Sequence, residues 1–413
     1  MRKLYTLAAA LMAGVFVSQA ASFWVGELQF TTIDDTTVKL SKAEQVSGDV
    51  VIPATVTNEG VEYTVVEIAA STFRSKTIDS VTIPGTVKTV GASAFQMCRL
   101  KKAVIEEGFT TLGYSMYGSC GQLAEVSLPS TLTCLGDEGP FSAGSAFNGC
   151  VNLKEITIPA GVTEIPNMTF NGCMALANVT IAGDITSIGE QAFNNCNALA
   201  SDLSFPKLTS LGSNAFGYCR AMKRIELGGT LENVTGEAFY DCEGLTDVVL
   251  GEGIKSIGSR AFNNCYSLTE ITLPASMISV AANAYAGCDK IANVYCYATV
   301  PPTASDDSFV STVYPTAILH VPEEAIDTYK KADIWKNFAT IVSLTDSGVG
   351  SIENDTPLTL VDGAVASRLP MKIYDAKGVL LADVAAGTFR LDTLGRGMYI
   401  VRSGTHTIKT VVP

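Results

Sequence analysis

Histidine is almost absent from this 413-residue chain, which carries only His320 and His406. Neither has a nucleophile and carboxylate close by in sequence, so a histidine-based triad or metal centre would need ligands from distant segments. Both read as solvated or structural. Positive charge is also scarce: 28 Lys and Arg stand against 41 Asp and Glu, a net charge of −13. That balance lacks the basic face required by nucleic acid or anionic lipid, and excludes both as partners. Beyond the first 17 residues, no apolar run approaches the ~20 residues of a membrane-crossing helix. The glycine patterns that cradle phosphate and the H-E-x-x-H of zinc peptidases are missing. The expectation is a chain with no cofactor, no metal and no enzymatic activity.

What the chain does have begins at its N-terminus. Arg2 and Lys3 precede an apolar run from Leu4 to Val17 that ends in Ser18-Gln19-Ala20, which reads as a secretory signal over residues 1–20. Its removal takes away two positive charges and makes the remainder more acidic still. No cysteine follows the cleavage site to carry a lipid. A secreted or cell-surface protein is expected.

The body of the chain is repetitive. An aromatic is followed three residues later by cysteine at Phe95/Cys98, Tyr117/Cys120, Phe147/Cys150, Phe170/Cys173, Phe193/Cys196, Phe216/Cys219, Phe239/Cys242, Phe262/Cys265 and Tyr285/Cys288. Six consecutive steps, from Phe147 to Tyr285, are 23 residues long. An earlier unit at Phe73 has Lys76 in the cysteine position, and a single 30-residue step separates Tyr117 from Phe147. Between aromatics, spacings such as Leu153, Ile156, Ile158, Pro159, Val162 and Ile165 recur. The pair Ile156 and Ile158 has strand periodicity, whereas Ala192-Phe193-Asn194-Asn195-Cys196 reads as a helical turn. One such unit cannot bury its apolar stripe alone, but stacked units share a continuous core. The expected fold is a mainly β repeat solenoid of about ten coils with short strands and helical turns.

The Leu-x-x-Val-x-Ile-Pro strand and the Ala-Phe-x-x-Cys turn together resemble the BspA-like class of leucine-rich repeats of bacterial surface proteins. The resemblance covers residues 66–296. Residues 21–65, with Val51-Ile52-Pro53, look like its N-terminal coil and cap. Residues 297–342 look like its C-terminal cap, with Trp335 anchoring an amphipathic helix. Residues 343–357 read as a linker. Residues 358–413 alternate as short strands around glycines, a small all-β domain similar to the C-terminal sorting domains of type IX secretion in Bacteroidetes. Together these resemblances imply export across an outer membrane and adhesion to extracellular proteins such as fibronectin and fibrinogen.

The cysteines are the first candidates for chemistry. Nine of the eleven keep phase with the repeat, unlike paired C-x-x-C metal ligands. Side chains in register on neighbouring strands sit ~4.8 Å apart, beyond the ~3.5–4.5 Å between Cβ atoms of a disulfide. A packed ladder of reduced thiols is expected. Cys134 and Cys296 fall out of phase, and Cys134, between Leu132 and Leu135, is a candidate for an exposed thiol.

Recognition is expected on two outward lanes. The position before the first strand residue of each coil reads Ser80, Lys102, Glu125, Glu155, Asn178, Asp202, Arg224, Asp247 and Glu270. The position between the two inward residues reads Thr82, Val104, Ser127, Thr157, Thr180, Ser204, Glu226, Val249 and Thr272. One lane is largely acidic and the other largely hydroxyl. Solvated carboxylates have no apolar pocket to raise a pKa, which argues against glycosidase chemistry. Thr and Ser also suit any solvent-facing strand. The lanes contain no aromatic, which favours an extracellular protein ligand over a glycan. A glycan-capture accessory and a structural surface-layer component are the alternatives. The irregular loop at Asp137, Glu138 and Phe141 is a further candidate contact.

Overall fold

The computed structural model describes residues 20–136, 145–228, 230–344, 358–361, 364–367, 371–375, 380–384, 387–394, 397–403 and 406–412. The secretory segment, the loop at Asp137, Glu138 and Phe141, and most of the linker lie outside the described residues. The chain divides into two compact units, residues 1–319 with 327–341 and residues 320–326 with 342–413.

The first unit begins antiparallel and becomes a parallel solenoid. Ser22–Val25 pairs with Leu28–Thr32 around Gly26, and Leu28–Thr32 pairs antiparallel with Thr37–Ala43. Thr37–Ala43 then pairs parallel with Val61–Ile68, which starts the coiling. Ser47–Val51, Thr77–Ile83, Lys102–Ile105 and Glu125–Ser127 follow as one parallel run. Further along, Glu155–Ile158 pairs with Asn178–Ile181, and Leu203–Phe205, Arg224–Leu227 and Asp247–Leu250 form a second group. Glu270–Leu273 pairs with Asn293–Cys296. Another side carries two-residue strands in register, such as Glu164–Ile165, Ser187–Ile188 and Ser210–Leu211.

Alternation explains the strands. Ile156 and Ile158 are buried while Glu155 and Thr157 face solvent, as a period of two requires. Pro159 has no N–H to offer a ladder and ends the strand, and its carbonyl accepts the Val162 N–H at 3.1 Å.

On the third side the structure departs from the predicted helical turn. The N–H groups of Gln191, Phe193 and Asn195 donate to Ser213, Ala215 and Gly217 of the next coil, while those of Asn194 and Cys196 return to residues three positions earlier. A helix would send each of them to residue i−4 within its own segment. Two left-handed residues per coil, here Gln191 at φ +54° and Asn195 at φ +61°, rotate successive peptide groups and produce the alternation. Half of the turn's amides therefore tie one coil to the next.

Inside the turn, eleven aromatic rings form a single stack from Phe73 to Phe309, with centroids 4.8–5.6 Å apart. Each ring of this size buried from water is worth ~1.5–3 kcal/mol, and each aromatic pair adds ~0.5–1.5 kcal/mol. Coils approach closely enough that Gly189 cannot carry a side chain: a Cβ there would lie 2.4 Å from the Asn167 backbone nitrogen. The stack runs past residue 296, because Phe309 bridges Tyr285 in parallel and stacks on it at 5.6 Å. It ends where Tyr314, Trp335 and Phe338 meet Phe309 edge-on at 5.8–6.2 Å. Trp335 sits in a single 3-10 turn, Trp335–Asn337, rather than in the predicted amphipathic helix, and its Nε1 donates to Pro302 O at 2.6 Å.

In the second unit, Leu358–Val361, Ala364–Ser367 and Gly387–Arg390 form one antiparallel sheet. Leu380–Val384, Met371–Asp375, Gly397–Ser403 and His406–Val412 form another. Val365, Met371, Ile373, Leu391 and Val401 make its core. Among the described residues, no helix is long and apolar enough to cross a membrane.

Candidate interaction face

The strand face presents the two predicted lanes side by side. Parallel register places Glu155 beside Asn178 and Thr157 beside Thr180, and sets Arg224 beside Asp247 and Glu226 beside Val249. Glu125, Glu155, Thr157, Asn178, Thr180, Asp202, Asp247, Glu270 and Thr272 are exposed, and Arg224 and Glu226 are half-buried. The acidic lane is not uniform. Lys102 pairs with Glu125 at 3.1 Å, while Arg224 bridges Asp247 and Glu226. Glu155, Asp202 and Glu270 have no ion pair among the described residues. The hydroxyl lane continues one coil beyond Thr272 to Tyr295, so it does hold an aromatic, and this corrects the expectation of none.

Four of the predicted residues come together in one hollow. Among the described residues no ladder joins the Glu125–Ser127 strand to Glu155–Ile158, where the 30-residue step falls, and the sheet parts there as it also does between Asn178–Ile181 and Leu203–Phe205 and between Asp247–Leu250 and Glu270–Leu273. A hollow of about 380 Å³ lies in the parting, lined by Glu155, Thr157, Asn178 and Thr180 with Ser127, Val126, Leu128 and Ile156. In the intact pairs the N–H of the exposed residue points to the preceding coil, as Asn178 N–H does to Lys154 O at 3.2 Å. The same geometry turns the Glu155 and Thr157 amides toward the hollow. Carboxylate, amide, hydroxyls and backbone edge thus converge on one place. The remaining predicted residues, Asp202, Arg224, Glu226, Asp247, Glu270 and Thr272, lie further along the face and outside this hollow.

All eleven cysteines are free thiols. The nine in phase each donate Sγ–H to the carbonyl of the ladder aromatic one coil back, from Cys98 on Phe73 to Cys288 on Phe262, at 2.9–3.3 Å. The same carbonyl accepts the N–H of its own coil's cysteine, as Phe147 O does from Cys150. Burial pushes the thiols of Cys150, Cys242 and Cys288 up to about 12 and those of Cys173, Cys196, Cys219 and Cys265 up as well. These are neutral core donors rather than nucleophiles. Lys76 holds the cysteine position in the coil of Phe73, its N–H donating to Phe73 O at 3.0 Å, and the thiol series begins one coil later with Cys98. Cys134 is half-buried with its Sγ on Gly136 O at 3.0 Å, and Cys296 is buried against the Tyr329 hydroxyl at 3.1 Å. His320 is buried, which lowers its pKa. No group of three or more His, Cys, Asp or Glu is placed to hold a metal among the described residues.

Sequence reasoning placed Ser127 in the outward hydroxyl lane without singling it out as a contact, and it overlooked Tyr218, Tyr240 and Tyr266 on the turn side. The first follows from where the 30-residue step falls, and the second from tyrosines standing two, one and four residues after Phe216, Phe239 and Phe262, at positions where most other coils carry no aromatic.

The BspA type leucine rich repeat region matches this chain in 6 copies, over residues 55–142, 143–234 and 199–314, more than half its length. The chain is similar in structure to a leucine rich cell surface protein from Faecalibacterium prausnitzii A2-165, at 21% identity and a TM-score of 0.46, over 79% of this chain and 95% of that one. A leucine-rich repeat protein from Bacteroides ovatus ATCC 8483 is 22% identical over 78% and 99% of the two chains, with a TM-score of 0.43. The pneumococcal vaccine antigen PcpA is 16% identical over 78% and 98%, also at 0.43. No curated protein matches the chain in sequence.

Proposed function

The chain belongs to the family of BspA-type leucine-rich repeat proteins, and from that premise we propose that it is an exported, non-catalytic adhesion module whose strand face engages an extracellular protein. The observation that carries the reading is the parting in the sheet. There an unpaired Glu155 stands with Thr157, Asn178, Thr180 and Ser127 around one hollow. A protein ligand with a basic segment would meet Glu155, Asp202 and Glu270, the carboxylates of the acidic lane without an ion pair among the described residues. Export rests on the N-terminal signal pattern and on the resemblance of residues 358–413 to sorting domains. Biolayer interferometry of residues 21–413 against fibronectin, fibrinogen and other matrix proteins tests it, beside a variant carrying Glu155→Lys, Asp202→Lys and Glu270→Lys. Binding that disappears in the variant supports the reading. Silence across the panel, or binding indifferent to the charge reversal, removes the strand face from consideration.

A further inference from the structure

On the turn side, three successive coils differ from the others. Two residues beyond the ladder aromatic the backbone must be left-handed, and most coils use Gly149, Gly172, Asn195, Asp241, Asn264 or Gly287 there, types that tolerate positive φ, while Ser75, Met97 and Ser119 take it in the first three coils. The Phe216 coil instead places Tyr218 in this conformation, at φ +61°. A bulky aromatic is a costly occupant of that position, and such outliers gather at functional sites. Its ring meets Tyr240 of the next coil edge-to-face, with centroids 5.3 Å apart at 66°. The Arg220 guanidinium lies 5.9 Å from the Tyr218 ring centre. Arg220 is itself held in place: Nε and Nη2 donate to Asp241 Oδ2 at 3.1 and 2.7 Å, and Nε lies 3.2 Å from Glu243 Oε1. Asp241 is almost wholly buried and takes Asn264 Nδ2 on its other oxygen at 3.3 Å. Tyr266, on the third coil, is 42% exposed.

We propose that this patch is a second binding site, separate from the strand face, and that its ligand is an uncharged saccharide. Tyrosine rings combine an apolar face, on which the C–H side of a pyranose stacks, with a polar rim. A planar guanidinium fixed in advance offers paired donors to adjacent hydroxyls at little further ordering cost. Asp241 and Glu243 balance Arg220, so the patch has no surplus positive charge to favour phosphate or sulfate groups. Because the rings occur on consecutive coils, an extended glycan lying along the solenoid meets one at each step.

Affinity electrophoresis of residues 21–413 through native gels containing laminarin, xylan, galactomannan or hydroxyethyl cellulose tests this site. At least one polysaccharide should retard the chain, and Tyr218→Asn combined with Tyr266→Ala should weaken the association about tenfold or more. Asparagine suits positive φ, so Tyr218→Asn alone should keep or raise the melting temperature while it weakens binding. A melting temperature that falls in this variant gives Tyr218 a structural role and overturns the proposal. Free migration in all four gels also overturns it, as does retardation untouched by the double variant. Capture on gelatin that the double variant abolishes, without retardation in any gel, overturns it in favour of a protein ligand. The strand-face variant Glu155→Lys, Asp202→Lys, Glu270→Lys should migrate with unchanged retardation, which separates failure of this site from failure of the adhesion reading.

Discussion

The turn side and the strand side of the solenoid meet the same irregularity, the 30-residue step between Tyr117 and Phe147, and answer it differently. On the turn side the stack and the ties between coils continue among the described residues. Tyr117 and Phe147 stack at 5.6 Å, Cys150 Sγ reaches Tyr117 O at 3.2 Å, and the amides of Tyr117 and Ser119 still donate to Ala146 and Asn148. On the strand side the ladder stops and a hollow opens, and the ladder stops again at two later coils of ordinary 23-residue step. The turn joins its neighbour through three kinds of contact at once, two of them buried from water, whereas the strands are joined by backbone bonds at the surface. The strand ladder is therefore the side that tolerates interruption, with or without extra chain length. The turn is the spine of this molecule, and the strand face is the part free to vary toward a ligand.

The harshest way to break that contrast is to remove a ring from the spine. Phe193 is fully buried between Phe170 and Phe216, at 5.2 and 5.1 Å. Phe193→Ala should cost ~3–5 kcal/mol by lost burial and cavity formation, read as a lower urea midpoint in circular dichroism. A cost under ~1 kcal/mol, the range of an ordinary surface change, would remove the spine from the argument. Cys196→Ala should cost less, ~1–2 kcal/mol, as it leaves Phe170 O without its Sγ–H donor and deletes one buried sulfur.

Alkali tests all the rungs together. The thiols of Cys150, Cys242 and Cys288 rise from 9.0 toward about 12 on burial. An unfolded chain gives up these protons first, so their contribution is complete below pH 9 and is lost as the pH climbs through the folded values near 12. Urea midpoints measured from pH 7 to 11 should hold level and then decline, and a flat profile throughout would show that the thiols are not buried as donors. In the same protein Ellman's reagent should label Cys134 in the native state and the ladder cysteines only after urea. The smallest effect belongs to the strand face: Thr157→Val or Lys102→Ala should change stability by no more than ~0.5–1 kcal/mol, because exposed ion pairs and surface hydroxyls contribute little. A larger loss from either would erase the distinction between the two sides.

Much of this was legible before any coordinates. Phe, Cys, Leu and Ile at fixed offsets over a 23-residue period leave an apolar stripe that only stacking can bury, so the solenoid, its repeat length and its inward residues follow from spacing. The alternation of Glu155, Ile156, Thr157 and Ile158 likewise identifies which residues face outward. The turn was misread because Ala192 to Cys196 has the apolar spacing of a helix, and that spacing says nothing about φ. Gln191 and Asn195 take left-handed conformations because the carbonyls of the next coil are within reach of the amides they redirect. The final ring, Phe309, escaped the sequence pattern because Thr312 takes the place of the cysteine after it, although the stack itself continues.

The candidate sites divide in the same way. Composition and period alone place Glu155, Thr157, Asn178 and Thr180 on an outward face, since each lies at a position whose neighbours point inward. That these four surround a hollow, that Arg224 bridges Asp247 and Glu226, and that Tyr218, Tyr240 and Tyr266 gather on the turn side of consecutive coils were decided only by the tertiary structure. Residues of successive coils become neighbours solely through the stacking of one coil on the next, so contacts between them depend on long-range register, which no local pattern of side chains encodes.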